Sequence, residues 1–244
     1  MNLSLINDIR QYVVERIGDF HQARLENLNK LKLKKVLAHK NPYLFRAKNV
    51  ETADVIVRNI VDAFLSSGEE TIFGDWLEGL AIYVCHRVYG GGKSSAKGID
   101  LEFDKDGCHY LVSIKSGPNW GNSSQIKRLV EEFKSAKKTL RTSRHHMNIV
   151  AVNGCCYGKD KSPDKGDYFK YCGQEFWAFI SGEQNLYTEL IEPLATQAKE
   201  RNEEFNVQYS NKINLFVKEF IDMFCAPDGS IDWDKIVRFN SGKA

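Results

Sequence analysis

The segment from residue 99 to residue 115 constrains the fold of this chain more than any other stretch of its sequence. Two β-prone runs, IDLEF and CHYLVSIK, flank the tetrapeptide DKDG at 104–107, and Asp-Gly between such runs is a strong signal for a β-hairpin. Side chains alternate between the two faces of a strand, so the length of the hairpin loop decides which residues share a face. A loop of two residues (106–107) or four (104–107) places Asp100 and Lys115 on the same face, whereas a three-residue loop would place them on opposite faces.

The patterns in the rest of the chain predict an α/β fold, a mixed β-sheet flanked by helices, with extra helices at both ends. A length of 244 residues and a hydrophobic share of 42% fit a single domain with a substantial core. Ser66-Ser67-Gly68 is expected to end one helix before another begins, and the apolar run FWAFIS is expected to form a strand. The predicted helices cover residues 3–38 (as one helix or two), 50–66, 69–88, 124–141, 184–203 and 211–225, and the further strands cover 147–153 and 176–181.

Composition limits the compartment and the partners. The formal net charge is only +2, so attraction to a polyanion depends on local clusters of basic residues rather than on total charge. No apolar run approaches the roughly 20 residues that a membrane-spanning helix needs. The N-terminal stretch MNLSLINDIRQYVVERIGDF is amphipathic and contains acids, unlike a secretory leader, so we expect a cytoplasmic protein with no membrane partner.

Six cysteines lie at irregular spacings, and none belongs to a Cys-x-x-Cys pair of the kind found in zinc ribbons or thioredoxin-like sites. We interpret them as small core residues in a reducing compartment. The alternative is a zinc site, which would need the looser set His145, His146, Cys155, Cys156 and Cys172.

Asp100 and Lys115 have complementary chemistry if they converge on one face of the hairpin. The carboxylate supplies a hard oxygen ligand for Mg²⁺, and the ammonium group can stabilise charge on a phosphoryl group or orient a water molecule. Surface hairpins commonly display both residue types, so the alternation by itself does not decide between a metal-dependent phosphoryl site and a solvated surface.

Segments on either side of the hairpin carry groups suited to nucleic acid. In the loop SGPNWGNSSQ, residues 116–125, Asn and Gln can pair with adenine edges, but an Asn or Ser here is equally suited to cap the next helix. That helix, 124–141, has an excess of basic residues that favours phosphate contacts. The run YGGGKSSAK, residues 89–97, offers backbone amides and a lysine to a phosphate, but it lacks the spacing of a P-loop. The candidate DNA contacts are Lys93, Ser94, Asn119, Asn122, Gln125, Lys127 and Arg128.

The tripeptides GID at 98–100 and SIK at 113–115 resemble the active-site signature of the PD-(D/E)XK nuclease superfamily. From about residue 41 to residue 193 the chain is similar to type II restriction endonucleases of the PmeII-like kind. The blocks that carry this resemblance are NPYLFRAKN, GEETIFGDWLE, YGGGKSS, GIDLEF, VSIKSGPNWGNSSQ, VNGCCYGK and CGQEFWAFISG.

This resemblance implies a PD-(D/E)XK nuclease core that lies between two helical parts of the chain. Within one domain, 1–244, the catalytic core would cover residues 67–182, between a helical N-terminal part (1–66) and C-terminal helices (183–244). The implied activity is Mg²⁺-dependent hydrolysis of both strands of duplex DNA at a short sequence. A cognate methyltransferase would act in the same restriction–modification system.

The resemblance also assigns roles to individual residues. Asp100 matches the first acidic metal ligand and Lys115 the catalytic lysine, while Ile99 replaces a proline that contributes no ligand. Ser113 stands where the pattern has Asp or Glu, and a hydroxyl is a poor substitute for a metal-binding carboxylate. A second acid is therefore expected from another element, and Glu78 is preferred because a glutamate of the preceding helix commonly joins this kind of site.

The surroundings of Glu78 agree with that choice, since its apolar neighbours Leu77, Ala81 and Val84 indicate a helix side that approaches the core. Other acids remain as alternatives. They are Glu131 or Glu132 on the following helix, then Glu70, with Glu102 as an accessory acid on the Asp100 face.

The sequence thus predicts a type II restriction endonuclease that acts as a homodimer, because a two-fold dimer matches the symmetry of a palindromic duplex site. Helix 211–225 either contributes to the dimer interface or packs within the chain. Two other functions stay open. One is a junction-resolving or repair nuclease with the same core, and the other is a DNA-binding module whose metal site is lost at Ser113.

Overall fold

The computed structural model describes residues 3–141 and 148–243, and within them it has ten α-helices and one five-stranded β-sheet. None of the helices in these residues is long and apolar enough to span a membrane. In chain order the elements are α1 (Leu3–Asn29), α2 (Leu33–Ala38), α3 (Pro42–Ala47), α4 (Ala53–Tyr89), β1 (Gly92–Lys93), β2 (Leu101–Lys105), β3 (Cys108–Lys115), α5 (Ser123–Arg141), β4 (Asn148–Cys155), β5 (Phe169–Cys172), α6 (Gln174–Ser181), α7 (Leu186–Glu189), α8 (Ile191–Leu194), α9 (Ala198–Phe224) and α10 (Trp233–Ser241).

The sheet is mixed and has the strand order β1-β2-β3-β4-β5. The first three strands are antiparallel, whereas β3, β4 and β5 run parallel, with α5 as the crossover between β3 and β4. On one face, Val112 belongs to a core with Leu80 of α4 and Phe176 of α6. On the other, Leu111 packs with Phe133 of α5. The predicted mixed α/β fold with flanking helices is confirmed.

A two-residue turn, Asp106-Gly107, joins β2 to β3. Both residues have positive φ, 50° and 74°, as a type I′ turn requires and as Asp-Gly favours. The register pairs Leu101 with Val112, so Asp100 lies opposite Ser113 and shares a face with Lys115. Of the loop lengths considered, the two-residue loop is confirmed and the four-residue loop is wrong.

The predicted break at Ser66-Ser67-Gly68 is also wrong, because α4 is continuous for 37 residues. A Cβ at Gly68 would collide with the side chain of Asn27 on α1, so the glycine permits close helix packing. Glycine inside a helix costs about 1 kcal/mol relative to alanine. The buried side chains of Leu65 and Leu77 on either side help α4 to absorb that cost.

The run FWAFIS forms the helix α6, not the predicted strand. Its buried residues Phe176, Trp177 and Ile180 have the spacing of one helix face. Glycines with positive φ stand at both ends, Gly173 at 53° and Gly182 at 72°. The outer strand of the sheet is instead β5, which ends just before Gly173.

The C-terminal helices also differ from the prediction. α9 is a single helix of 27 residues where two helices with a break near residue 207 were expected. Residues before it form the short α7 and α8, and the sequence did not indicate α10 at all. A helix of nine residues with one buried side chain, Ile236, has little periodicity to detect.

The chain divides into two compact units, Met1–Ile17 with Phe73–Thr196 and Gly18–Ile72 with Gln197–Ala244. The first unit contains the whole sheet. The second has its own core, in which Phe216 and Phe220 of α9 are buried, so these residues pack within the chain. The organisation as one domain with a core at 67–182 stays a prediction.

Candidate active site

Asp100 and Lys115 are neighbours in the first unit. Asp100 directly precedes β2, and its Oδ2 atom accepts a hydrogen bond of 2.6 Å from the backbone N–H of Ile114. Lys115 ends β3, and its Nζ lies 3.9 Å from the same Oδ2. The two side chains are 22% and 32% exposed, so a carboxylate and an ammonium group meet at a half-buried position open to solvent.

Glu78 is electrostatically coupled to this pair from α4. Its side chain is 27% exposed, and its Oε1 lies 3.7 Å from Nζ of Lys93. Burial raises the pKa of Glu78 and the charge of Asp100 raises it further, whereas Lys93 and, more weakly, Lys115 lower it. The repulsion between the two carboxylates is therefore one of the main determinants of the charge state of Glu78.

Ser113, where the nuclease pattern has an acid, is 1% exposed. Its hydroxyl donates to Oδ2 of Asp100 at 3.4 Å. The hairpin itself thus brings one carboxylate, that of Asp100, to this point, and a second must come from another element.

The alternative acids are engaged elsewhere or exposed. Glu132 forms an ion pair of 3.0 Å with Arg128, and a Cβ at Gly98 would collide with its carboxylate. Glu102 accepts a hydrogen bond from Ser94 and lies 3.3 Å from Nε2 of the buried His109. Glu131 and Glu70 are both exposed on their helices.

The family is shown by comparison with known proteins. A family model described as type II restriction endonuclease EcoO109I matches residues 7–202, most of the chain, including Glu78, Asp100 and Lys115. The chain belongs to this family. It is therefore a site-specific deoxyribonuclease of type II rather than a junction-resolving or repair nuclease. No curated protein matches the chain.

In this restriction endonuclease the loop after Lys115 is held by a buried polar residue that the sequence analysis did not single out. Trp120 Nε1 donates to Oδ1 of Asn153 at 2.9 Å, and Asn153 Nδ2 donates to the carbonyl of Ser113 at 3.1 Å. The Trp120 ring centroid lies 5.6 Å from Nζ of Lys115. Trp120 thus anchors the loop, and the signal for Asn153 was an amide at the end of the apolar run MNIVAV.

Along the chain, the candidate DNA contacts of the endonuclease come before Asp100 and after Lys115. Asn122 and Gln125 cap α5 reciprocally: Gln125 N donates to Asn122 Oδ1 at 3.1 Å, and Asn122 N donates to Gln125 Oε1 at 2.9 Å. The Ser94 hydroxyl donates a hydrogen bond to Glu102 and accepts one from the backbone N–H of Ala96. The exposed candidates are Lys93, Asn119, Asn122, Gln125, Lys127 and Arg128.

The positions of the cysteines agree with their interpretation as core residues. Cys155, Cys156 and Cys172 are buried free thiols, and burial raises the pKa of Cys156 to about 12. His145 and His146 lie outside the described residues. Across 3–141 and 148–243, no three His, Cys, Asp or Glu side chains are arranged to hold a metal ion.

Proposed function

We propose that this endonuclease cuts DNA by Mg²⁺-dependent hydrolysis on a core of the PD-(D/E)XK type, with Asp100, Lys115 and Glu78 as its catalytic residues. The observation that carries the proposal is the 3.9 Å approach of the Lys115 ammonium to the Asp100 carboxylate at the open end of a β-hairpin. Because the chain belongs to a type II restriction endonuclease family, its substrate is DNA. Kinship with the PmeII-like kind within type II stays a prediction.

The donor set near Asp100 fits Mg²⁺. This ion prefers oxygen ligands and is usually bound by one or two carboxylates, with water and substrate phosphate completing the shell. The hydrogen bonds of Asp100 converge on Oδ2, which favours Oδ1 as the metal ligand. A cation between Asp100 and Glu78 would also relieve the repulsion that raises the pKa of Glu78. Asp100 and Glu78 are therefore the proposed ligands.

The protein side chains divide the work of hydrolysis. When bound, Mg²⁺ supplies Lewis-acid stabilisation of the charge that develops on the scissile phosphate. Lys115 Nζ donates hydrogen bonds to the attacking water or to a phosphate oxygen, and it holds either one beside Asp100. The N–H of Ile114 fixes the Asp100 carboxylate through its 2.6 Å hydrogen bond, so the acid is oriented before DNA arrives.

DNA would be held on both sides of this pair. Lys93 lies beside Glu78, while Asn119, Lys127 and Arg128 are exposed on the loop and helix after Lys115. Ser94, Asn122 and Gln125 complete the proposed contacts, the last two in addition to capping α5. The enzyme would act as a homodimer on duplex DNA in the cytoplasm, with a cognate methyltransferase protecting the host sequence.

Digestion of a mixed-sequence plasmid with Mg²⁺ tests the proposal. We expect Asp100→Asn, Lys115→Ala and Glu78→Gln each to lower the cleavage rate by about 10²–10⁴-fold, the range for loss of one catalytic group. Glu131→Gln is the matched control, since it makes the same change at an exposed acid of α5.

Three results would contradict it. Undiminished cutting by Asp100→Asn or Lys115→Ala would remove the proposed site. Undiminished cutting by Glu78→Gln, with loss in Glu131→Gln or Glu132→Gln, would move the second acid to α5. Binding of DNA in Ca²⁺ without cutting by the wild type in Mg²⁺ would mean that the Ser113 replacement has cost the chain its activity.

A further inference from the structure

The chain that leaves β4 runs directly beside the catalytic lysine. The N–H of Cys156 donates to the carbonyl of Lys115 at 2.9 Å, and the N–H of Tyr157 donates to the carbonyl of Ser116 at 3.1 Å. The backbone of residues 156–161, here called the 156–161 segment, is thus joined to the end of β3 at the point where the proposed chemistry takes place.

The same segment is packed against the loop that follows Lys115. A Cβ at Gly117 would collide with the Tyr157 ring, and a Cβ at Gly158 would collide with Pro118. Lys170 of β5 donates to the carbonyl of Pro118 at 2.8 Å and so holds the loop from the other side. Two glycines therefore allow a close backbone approach that fixes the position of the segment relative to Lys115.

The base of the segment is fixed by α6 and by the glycine that precedes this helix. Trp177 Nε1 donates to the carbonyl of Cys156 at 2.8 Å, and the N–H of Gly173 donates to the carbonyl of Cys155 at 2.9 Å. A fixed backbone holds its exposed side chains at defined positions, which lowers the entropy cost of binding a ligand.

The side chains that this platform exposes are aromatic and basic. Tyr157 is 55% exposed although its ring covers Gly117. Lys159 and Lys161 are exposed, and neither is paired with a carboxylate of the described residues. Asp160 between them is bound by Lys165 at 2.8 Å, and the hydrogen bond from Lys165 lowers its pKa.

Beside these side chains lies a cavity of about 670 Å³. Its lining includes Tyr157, Lys159, Lys161, Gln174 and Tyr187 together with two acids, Asp160 and Glu175. The two unpaired ammonium groups and the exposed ring match the chemistry of a nucleic-acid strand, since lysines bind phosphates and aromatic rings stack on bases or sugars. The position next to Lys115 matches the nucleotides that adjoin a bond cut there.

We propose that the 156–161 segment binds the DNA strand beside the scissile phosphate, with Lys159 and Lys161 on phosphates and Tyr157 against the neighbouring nucleotide. This inference rests on the proposed function, because it takes Lys115 as the position of the scissile phosphate. Each phosphate contact releases counterions, and the logarithm of the binding constant then falls with the logarithm of salt concentration by about 0.9 per contact.

The test measures binding to a short duplex that carries the cleavage site mapped on plasmid DNA, by fluorescence anisotropy with Ca²⁺ in place of Mg²⁺ over a KCl series. For Lys159→Ala/Lys161→Ala we expect the salt slope to become shallower by about 2. The matched control is Lys199→Ala/Lys218→Ala, which removes two exposed lysines of α9 and leaves the slope unchanged. Thermal unfolding of each variant checks that the fold is retained.

Tyr157 is tested by two substitutions that separate ring from hydroxyl. Tyr157→Ala is expected to weaken binding by about 10-fold without a change of slope, as loss of a stacking ring does, whereas Tyr157→Phe stays close to the wild type. A wild-type slope in folded Lys159→Ala/Lys161→Ala overturns the proposal while Lys115-dependent cutting still stands. A wild type that neither binds nor cuts DNA instead overturns the proposed function.

Discussion

Glu78 combines a position in the candidate site with a cost to stability. Burial and the charge of Asp100 raise its pKa in the folded protein above that of the unfolded chain. Between the unfolded-state pKa and the raised folded-state pKa of Glu78, the folded state binds more protons than the unfolded state. The contribution of Glu78 to stability therefore falls as pH rises through this interval. The ion pair with Lys93 offsets little of this, because Lys93 is 73% exposed.

Glu78→Gln is therefore expected to raise the melting temperature at neutral pH while it slows cleavage. The direction of this gain follows from the raised pKa of Glu78 in the folded protein. The gain should shrink as pH falls towards about 4, where Glu78 becomes largely protonated in both states. Melting curves between about pH 4 and pH 8 measure it, with Glu131→Gln as control, and a lower melting temperature at neutral pH would refute it.

Ser113 tests the metal directly, because its hydroxyl contacts Oδ2 of Asp100. We expect Ser113→Asp without divalent ions to lower the melting temperature by more than about 5 °C, since an uncompensated buried charge costs about 3–5 kcal/mol. Addition of Mg²⁺ should recover much of this loss, because a metal ion compensates two adjacent carboxylates.

The control for this change is Ser113→Ala, which removes the hydroxyl without adding charge. The comparison is the Mg²⁺-dependent gain in melting temperature of each protein. An equal gain in Ser113→Asp, Ser113→Ala and the wild type would count against a metal at Asp100.

Among the elements, the hairpin was predictable and the helix boundaries were not, for physical reasons. Asp106-Gly107 encodes its turn locally, since both residues must adopt positive φ, and the turn in turn fixes the face that Asp100 and Lys115 share. The local sequence around Gly68 suggests a helix end. The reason for a glycine inside α4 is its packing against Asn27, a long-range contact that no local pattern reveals. The run FWAFIS is too short for its periodicity to separate helix from strand.

The candidate site was predictable only in part. Strand alternation placed Asp100 and Lys115 on one face, whereas the choice of Glu78 came from resemblance, supported by its apolar helix neighbours. The contacts of Trp120 with Asn153 and of Tyr157 with Gly117 join segments that are about 30 to 40 residues apart. Such contacts depend on the parallel pairing of β3 with β4, which the sequence does not specify.

The start of α5 gives a prediction that separates capping from DNA contact. Asn122→Ala should lower the free energy of unfolding by about 1 kcal/mol, because it removes the side-chain acceptor for the N–H of Gln125. Asn122→Asp keeps that acceptor but adds a charge that repels phosphate, so it should retain stability and bind DNA more weakly.

Urea unfolding and DNA binding in Ca²⁺, measured on the same variants, provide the two readouts. Ser124→Ala, an exposed change in the first turn of α5, is the control for stability. Equal stability of Asn122→Ala and the wild type would show that the cap contributes nothing, and wild-type affinity of Asn122→Asp would place DNA away from Asn122.

For the whole molecule, a net charge of +2 provides little general attraction for DNA, so local surfaces must provide it. One candidate is the cleft of about 310 Å³ at α5, lined by Lys134, Lys137, Lys138 and Arg141 together with Asp167. Burial lowers the pKa of Lys137 and the charge of Arg141 lowers it further. A phosphate bound at this cleft would oppose the effect of Arg141, so it should raise the pKa of Lys137 again.

Cleavage of both strands raises a question of stoichiometry that belongs to the assembled enzyme. Each chain contributes one Asp100–Lys115 pair, and the proposed site would act on one phosphodiester bond at a time. A homodimer would then be needed to cut both strands in one binding event. Co-expression of wild-type chain with an excess of Asp100→Asn chain should then produce hybrid dimers. These would convert supercoiled plasmid to nicked circles, and the rate of forming linear product should fall with the square of the active fraction.

Gel analysis of early time points measures both products, with wild-type enzyme diluted to the same active concentration as control. A monomer that cuts the strands in turn would instead lose rate in direct proportion to the active fraction, with no added accumulation of nicked circles.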